Sequence, residues 1–154
     1  MPELISQITQ ICIVVENVEN ASKHWATVLG VDQTATETVF PEGIHHVTHG
    51  KAMDYKDCRV AKYQLQNIIL ELIEPGKGPS PWRDFLEKNG PGVFHVCMFV
   101  EDPQEIYGRL SSIGVKEPYH VGDFNFGFYS YVASKEQLGL ELSINHIKKE
   151  KNHG

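Results

Sequence analysis

Gln10-Ile11-Cys12-Ile13-Val14-Val15-Glu16-Asn17 and His95-Val96-Cys97-Met98-Phe99-Val100-Glu101-Asp102 are near copies of one another. Each copy leads into an amphipathic stretch that stops at a glycine, Gly30 or Gly114, followed by Val31 or Val115. Later in each half comes Leu-Glu-Leu, at 70–72 and 140–142. A chain built from two copies of one unit tends to place its site where the copies meet. Here each copy offers two polar groups on strands, Gln10 with Glu71 and His95 with Glu141. Together they make a candidate metal-ligand set.

The elements around these runs follow from local pattern. The apolar, β-branched residues 8–15 predict a strand. Ala21, Trp25, Val28 and Leu29 are spaced for one face of a helix over 19–29, with Gly30 as its stop. Residues 32–57 are polar, hold His45, His46 and His49, and read as a strand within a long loop. Runs 58–65 and 68–74 flank Gln66-Asn67 and predict a hairpin. The Pro- and Gly-rich stretch 75–92 links the halves, and Ser80-Pro81 starts a short helix with Trp82, Phe85 and Leu86. The second half then gives a strand at 93–100 and a helix from Asp102-Pro103 to Gly114. A strand near 115–120, a Gly/Phe loop at 122–127, and strands at 128–133 and 138–145 follow. Each half is β-α-β-β-β, an α+β order rather than an alternating α/β one. The expectation is one domain over 1–154: module 1 at about 8–75, a linker at 76–92, module 2 at about 93–145, and a basic tail at 146–154.

Composition bounds the rest. The 14 basic and 20 acidic residues give a net charge of −6, which offers no bulk attraction for nucleic acid or anionic membranes. No apolar run approaches the roughly 20 residues that span a bilayer. The start, Met-Pro-Glu-Leu, has neither a basic nor an apolar leader segment. The 3 cysteines form no CxxC and read as reduced thiols of a cytoplasmic protein. There is no G-x-G-x-x-G and no P-loop, so a nucleotide cofactor is not suggested.

Strand parity sharpens the site. Successive side chains in a strand alternate between faces. Ile11, Ile13 and Val15 therefore oppose Gln10 and Cys12, while Val96, Met98 and Val100 oppose His95 and Cys97. Leu70 and Leu72 oppose Glu71, and Leu140, Leu142 and Ile144 oppose Glu141 and Ser143. A buried carboxylate without a partner is very costly, so two of them mid-strand ask for a cation or a solvated cavity. The competing reading makes Glu71 and Glu141 solvent-facing residues of half-exposed strands, with Gln10 and His95 as satisfied polar groups. An imidazole, two carboxylates and an amide oxygen suit Zn, Ni, Co, Mn or Fe(II).

On these motifs the chain resembles the vicinal oxygen chelate superfamily, which includes glyoxalase I, methylmalonyl-CoA epimerase, extradiol dioxygenases and bleomycin-resistance proteins. The resemblance covers about residues 8–145. It implies two tandem βαβββ modules, the glyoxalase/bleomycin resistance/dioxygenase fold, forming a curved sheet around a metal site. Gln10, Glu71, His95 and Glu141 fall at the family's four ligand positions. The set is similar to that of glyoxalase I, whereas the linker Ser80-Pro81-Trp82-Arg83-Asp84-Phe85-Leu86 looks more like methylmalonyl-CoA epimerase. That epimerase pattern usually has His and Gln where this chain has Gln10 and Glu71. The resemblance implies a metal-dependent lyase or isomerase that moves a proton alpha to a carbonyl, on a thioester or hemithioacetal substrate. It assigns Glu141 as principal acid/base, Glu71 as ligand and second base, and Gln10 and His95 as ligands. It also implies a homodimer. The alternative is a small-molecule binding or resistance protein that keeps the fold without catalysis.

Other groups carry secondary expectations. His45, His46 and His49 are candidates for a pocket mouth, or are surface residues. Phe124, Phe126, Phe128, Tyr129 and Tyr131 are either strand core or part of a glycine-flanked lid. Arg59, Lys62 and Tyr63 are candidates to meet a phosphate or carboxylate, or are solvated.

Overall fold

The computed structural model describes residues 7–38 and 44–148. The N-terminal Met-Pro-Glu-Leu and residues 149–154 of the basic tail lie outside the described residues. The fold is α+β. It divides into two compact units, one made of Thr9–Glu42 and Asp54–Val96, the other chiefly of Gly43–Met53 and Cys97–Gly154.

The first unit begins with β1 (Ile8–Val14), α1 (Val18–Leu29) and β2 (Glu37–Thr38). It continues with β5 (Arg59–Gln64), β6 (Ile69–Glu74), α2 (Pro81–Asn89) and the opening residues of β7 (Gly92–Phe99). Its strands run in the order β2-β5-β6-β1-β7. β1 lies parallel to β6, with Cys12 opposite Glu71 and Ile13 opposite Leu72. The Asn17 side chain accepts from Asn20 N–H at 2.9 Å and starts α1. Gly30 ends it at φ 71°, a left-handed conformation that favours glycine. The Glu74 carboxylate accepts from Val18 N–H at 3.0 Å, tying the end of β6 to the first turn of α1. Beneath α1, Val15, Val18, Ala26, Ala61, Leu70 and Leu72 form an apolar core to which Ile13 and Trp25 pack. α2 is started by Ser80, whose side chain accepts from Arg83 N–H, and its Trp82 is fully buried edge-on to Tyr55.

The other unit contains β3 (His45–Thr48), β4 (Lys51–Met53) and α3 (Pro103–Ser112). After α3 come β8 (His120–Phe124), β9 (Gly127–Val132), α4 (Lys135–Leu138) and β10 (Glu141–Ile147). Its strands run β10-β9-β8-β3-β4, and Cys97–Phe99 of β7 belong to it. Asp102 starts α3 by accepting from Gln104 and Glu105 N–H.

Several expectations are corrected. The strand expected near 115–120 begins only at His120. The stretch read as a Gly/Phe loop is a β-hairpin, with Phe124 paired to Gly127. Its Gly122 is there for close approach: a Cβ at that position would overlap the Tyr129 ring. The strand expected over 138–145 is preceded by the single helical turn α4 and begins at Glu141. Segment 32–57, read as a strand within a long loop, holds β2, β3 and β4. Its β3 pairs with β8, matching His45 to Asp123 and Thr48 to His120, so a hairpin from the first half completes the sheet of the second. Among the described residues, no helix is long and apolar enough to cross a membrane.

Candidate metal centre

β1 is the middle strand of three, between β6 and β7. Its period-2 alternation sends Ile13 and Val15 toward α1 and leaves Gln10, Cys12 and Val14 on the opposite face. That opposite face is covered as well: Cys12 is 0% exposed, Glu71 of β6 8% and His95 of β7 2%. The reading of Glu71 as a solvent-facing residue on a half-exposed strand therefore fails.

These side chains meet. Cys12 Sγ, a Glu71 carboxylate oxygen and a His95 ring nitrogen all lie within 4.8 Å of one another. Gln10 Nε2 donates to Glu71 Oε2 at 2.7 Å, and the Cys12 thiol donates to Glu71 Oε1 at 3.5 Å. Lys62, across from Glu71 on β5, places Nζ 3.5 Å from Glu71 Oε2. Burial pushes the His95 imidazole down to about 3, so it is neutral at ordinary pH, the form that binds a metal. The donor set fits a divalent cation: a neutral imidazole, a buried carboxylate, an amide able to turn its oxygen inward, and a thiol.

Glu141, at the start of β10, is held within its own unit. Ser134 N–H donates to its Oε2 at 2.8 Å and Tyr119 OH to its Oε1 at 3.3 Å. Both donors come from connecting segments, and no sequence pattern marked them. Cys12 did have a signal, because parity put it on the same face as Gln10.

The secondary candidates resolve individually. His46 is buried in a ring cluster, stacked against His120 with centroids 5.9 Å apart. His120 in turn bonds Thr48 Oγ1 and Tyr129 OH through its two nitrogens, at 2.7 and 2.8 Å. His49 occupies the β3–β4 turn at φ 50° and stacks on Tyr119. His45 is exposed. Tyr129 and Tyr131 are strand residues of this ring cluster. Arg59 meets a carboxylate of the chain itself, Glu19, at 2.8 Å. Tyr63 is buried against Ser22, to whose carbonyl its hydroxyl donates.

Comparison with known proteins shows the family. The sequence model described as Glyoxalase/Bleomycin resistance protein/Dioxygenase superfamily matches residues 9–129. The chain belongs to that superfamily. Among curated proteins, it is 30% identical over 107 residues to the Bacillus subtilis (strain 168) protein called uncharacterized protein YqjC, covering 70% of this chain and 66% of that one. It is 26% identical over 99 residues to the mitochondrial methylmalonyl-CoA epimerase of Dictyostelium discoideum, covering 64% of this chain and 51% of the relative. The chain thus spans less than two thirds of the length of either of these relatives. A solved structure, methylmalonyl-CoA epimerase in complex with methylmalonyl-CoA and NH4+, superposes with a TM-score of 0.62 at 19% identity, over 92% of this chain and 94% of that one. That likeness speaks to the shared superfamily fold.

Proposed function

We propose that this chain is a divalent-metal-dependent isomerase or lyase that moves a proton at the carbon alpha to a carbonyl, with an acyl-CoA thioester as the preferred substrate class. The observation that carries this reading is the buried donor group on β1, β6 and β7. There a carboxylate that is 8% exposed is grouped with a neutral imidazole, an amide and a thiol, a donor set of the kind that holds a divalent cation. The epimerase relatives favour the thioester over the hemithioacetal.

In this reading Gln10, Glu71 and His95 hold the ion. When bound, the ion supplies Lewis acidity toward the substrate carbonyl oxygen. Glu141 is the principal acid/base, taking the alpha proton onto its carboxylate and returning it. Ser134 N–H and Tyr119 OH fix the orientation of that carboxylate, which restricts where the proton travels. Glu71 is the second base, and Lys62 balances its charge.

One observation favours the alternative of a non-catalytic binding protein. Glu71 already has the Gln10 amide, the Cys12 thiol and the Lys62 ammonium as partners. Metal content and turnover decide between the two. The enzyme reading expects one equivalent of divalent metal, removable by EDTA with a loss of thermal stability. It also expects solvent deuterium at the alpha carbon of methylmalonyl-CoA, with S-lactoylglutathione formation as the parallel assay. A protein that takes up no metal and turns over neither substrate overturns this reading and favours the non-catalytic alternative.

A further inference from the structure

We propose that the Cys12 thiolate is itself a metal ligand, so that the centre is a mixed sulfur, nitrogen and oxygen site. The proposal deepens the metal reading above and rests on it.

Position is the first argument. Cys12 is on β1, the strand between those carrying Glu71 and His95. It is the register partner of Glu71. A mid-strand side chain on the shared face of a central strand projects between its two neighbours, which makes Cys12 the nearest bridge from Glu71 to His95. Gln10 starts further away. Its own register partner is Ile69, and it reaches Glu71 only through the end of its side chain.

Distance is the second argument. Around a tetrahedral ion, sulfur at about 2.3 Å and oxygen at about 2.0–2.2 Å lie roughly 3.5 Å apart. Cys12 Sγ is already 3.5 Å from Glu71 Oε1. With the His95 nitrogen inside the same 4.8 Å limit, closing the triad onto an ion takes side-chain adjustments of about 1 Å.

Chemistry is the third argument. On binding, the S–H bond breaks, its proton leaves to solvent, and sulfur donates its electron pair to the ion. The thiolate and the Glu71 carboxylate then offset the 2+ charge, leaving Lys62 near Glu71 as a rim cation, with its own side chain 56% exposed. Sulfur also shifts selectivity toward Zn and Co and away from Mn or Mg.

The test uses the full chain loaded with Zn for X-ray absorption, and with Co(II) for optical spectroscopy. The expected result is one sulfur scatterer at about 2.3 Å from Zn. A near-ultraviolet sulfur-to-cobalt charge-transfer band should accompany it, disappear in Cys12→Ser, and persist in Cys97→Ser and Cys58→Ser. A Zn shell holding only nitrogen and oxygen overturns the sulfur ligand while leaving the metal reading intact. A wild-type chain that binds neither metal overturns both. Because the scattering measurement is made on the wild type, the answer stands even if Cys12→Ser folds poorly.

Discussion

Gln10 turns its amide nitrogen, not its oxygen, toward Glu71, with Nε2 2.7 Å from Oε2. In this arrangement Gln10 supports the carboxylate, and to ligate an ion the amide must swing its oxygen inward. Glu71 is thus the hub of the site, touched by Gln10, Cys12 and Lys62. Glu71→Ala should abolish stoichiometric Zn binding, and Gln10→Ala, which removes both a ligand and a support of Glu71, should weaken it by about 10-fold or more. Equilibrium dialysis with metal analysis checks both. Unchanged affinity in Glu71→Ala removes Glu71 from the site.

Glu141→Gln should lower turnover by about 10²–10⁴-fold, the usual contribution of a general base, with the fold retained. Tyr119→Phe removes only one of the two donors to that carboxylate and should be milder. Rates of deuterium incorporation at the alpha carbon provide the comparison. Full activity in Glu141→Gln would end its assignment as acid/base.

Gly122 faces the Tyr129 ring so closely that no Cβ fits. Gly122→Ala should cost about 1–3 kcal/mol through displaced packing in the β8–β9 hairpin. Pairing it with Tyr129→Ala tests the cause. If the clash is responsible, the double variant loses less than the sum of the two single losses, as urea midpoints would reveal.

His49 is at φ 50° in the β3–β4 turn, where β-branched residues are strained. His49→Val should therefore cost about 1–2 kcal/mol. His49→Asn should cost less, because Asn tolerates this conformation, although it gives up the stacking on Tyr119. Equal losses in both variants would place the effect in the lost ring contact instead.

Burial raises the Cys58 thiol above 9.0 and the Tyr107 hydroxyl above 10.0. For Cys58 the dominant cause is desolvation, with Asp57 adding to it and a Gly76 backbone hydrogen bond and Arg83 opposing it. Between the unfolded and the folded value, the folded chain keeps a proton that the unfolded chain has lost. Stability is then full below about pH 9 and falls as pH rises beyond it. Cys58→Ala should flatten the first part of that fall. Denaturation midpoints at pH 8 and pH 10 measure it, and an identical slope in the variant would rule Cys58 out.

The elements readable in the sequence were those fixed by local chemistry. Ser80 and Asp102 start their helices as the sequence suggested, and Asn17 caps α1 two residues before the helix expected over 19–29. The hairpin around Gln66-Asn67 closes through Leu65 N–H to Ile68 carbonyl. What escaped was decided by distant partners. Gly122 looked like a turn residue because glycine in a strand is uncommon, and the ring that demands it is on the next strand. A strand within 32–57 is expected, but no local pattern announces its pairing with β8. At the site, parity put Gln10 and Cys12 on one face. It could not show that this face is covered, which is what makes Cys12 and Glu71 chemically consequential.

The passage of β3 into the sheet of β8 also bears on how the chain is made. A nascent chain emerges N-terminus first, so His45 is synthesised well before its partner Asp123. Until then the β3–β4 hairpin exposes an unsatisfied edge, a surface prone to mispairing. Cleaving the chain in the linker at 76–92 would leave β3 and β8 on different fragments. The two sequence repeats are therefore not two independent folding bodies, and expressing either half alone should yield an aggregation-prone fragment.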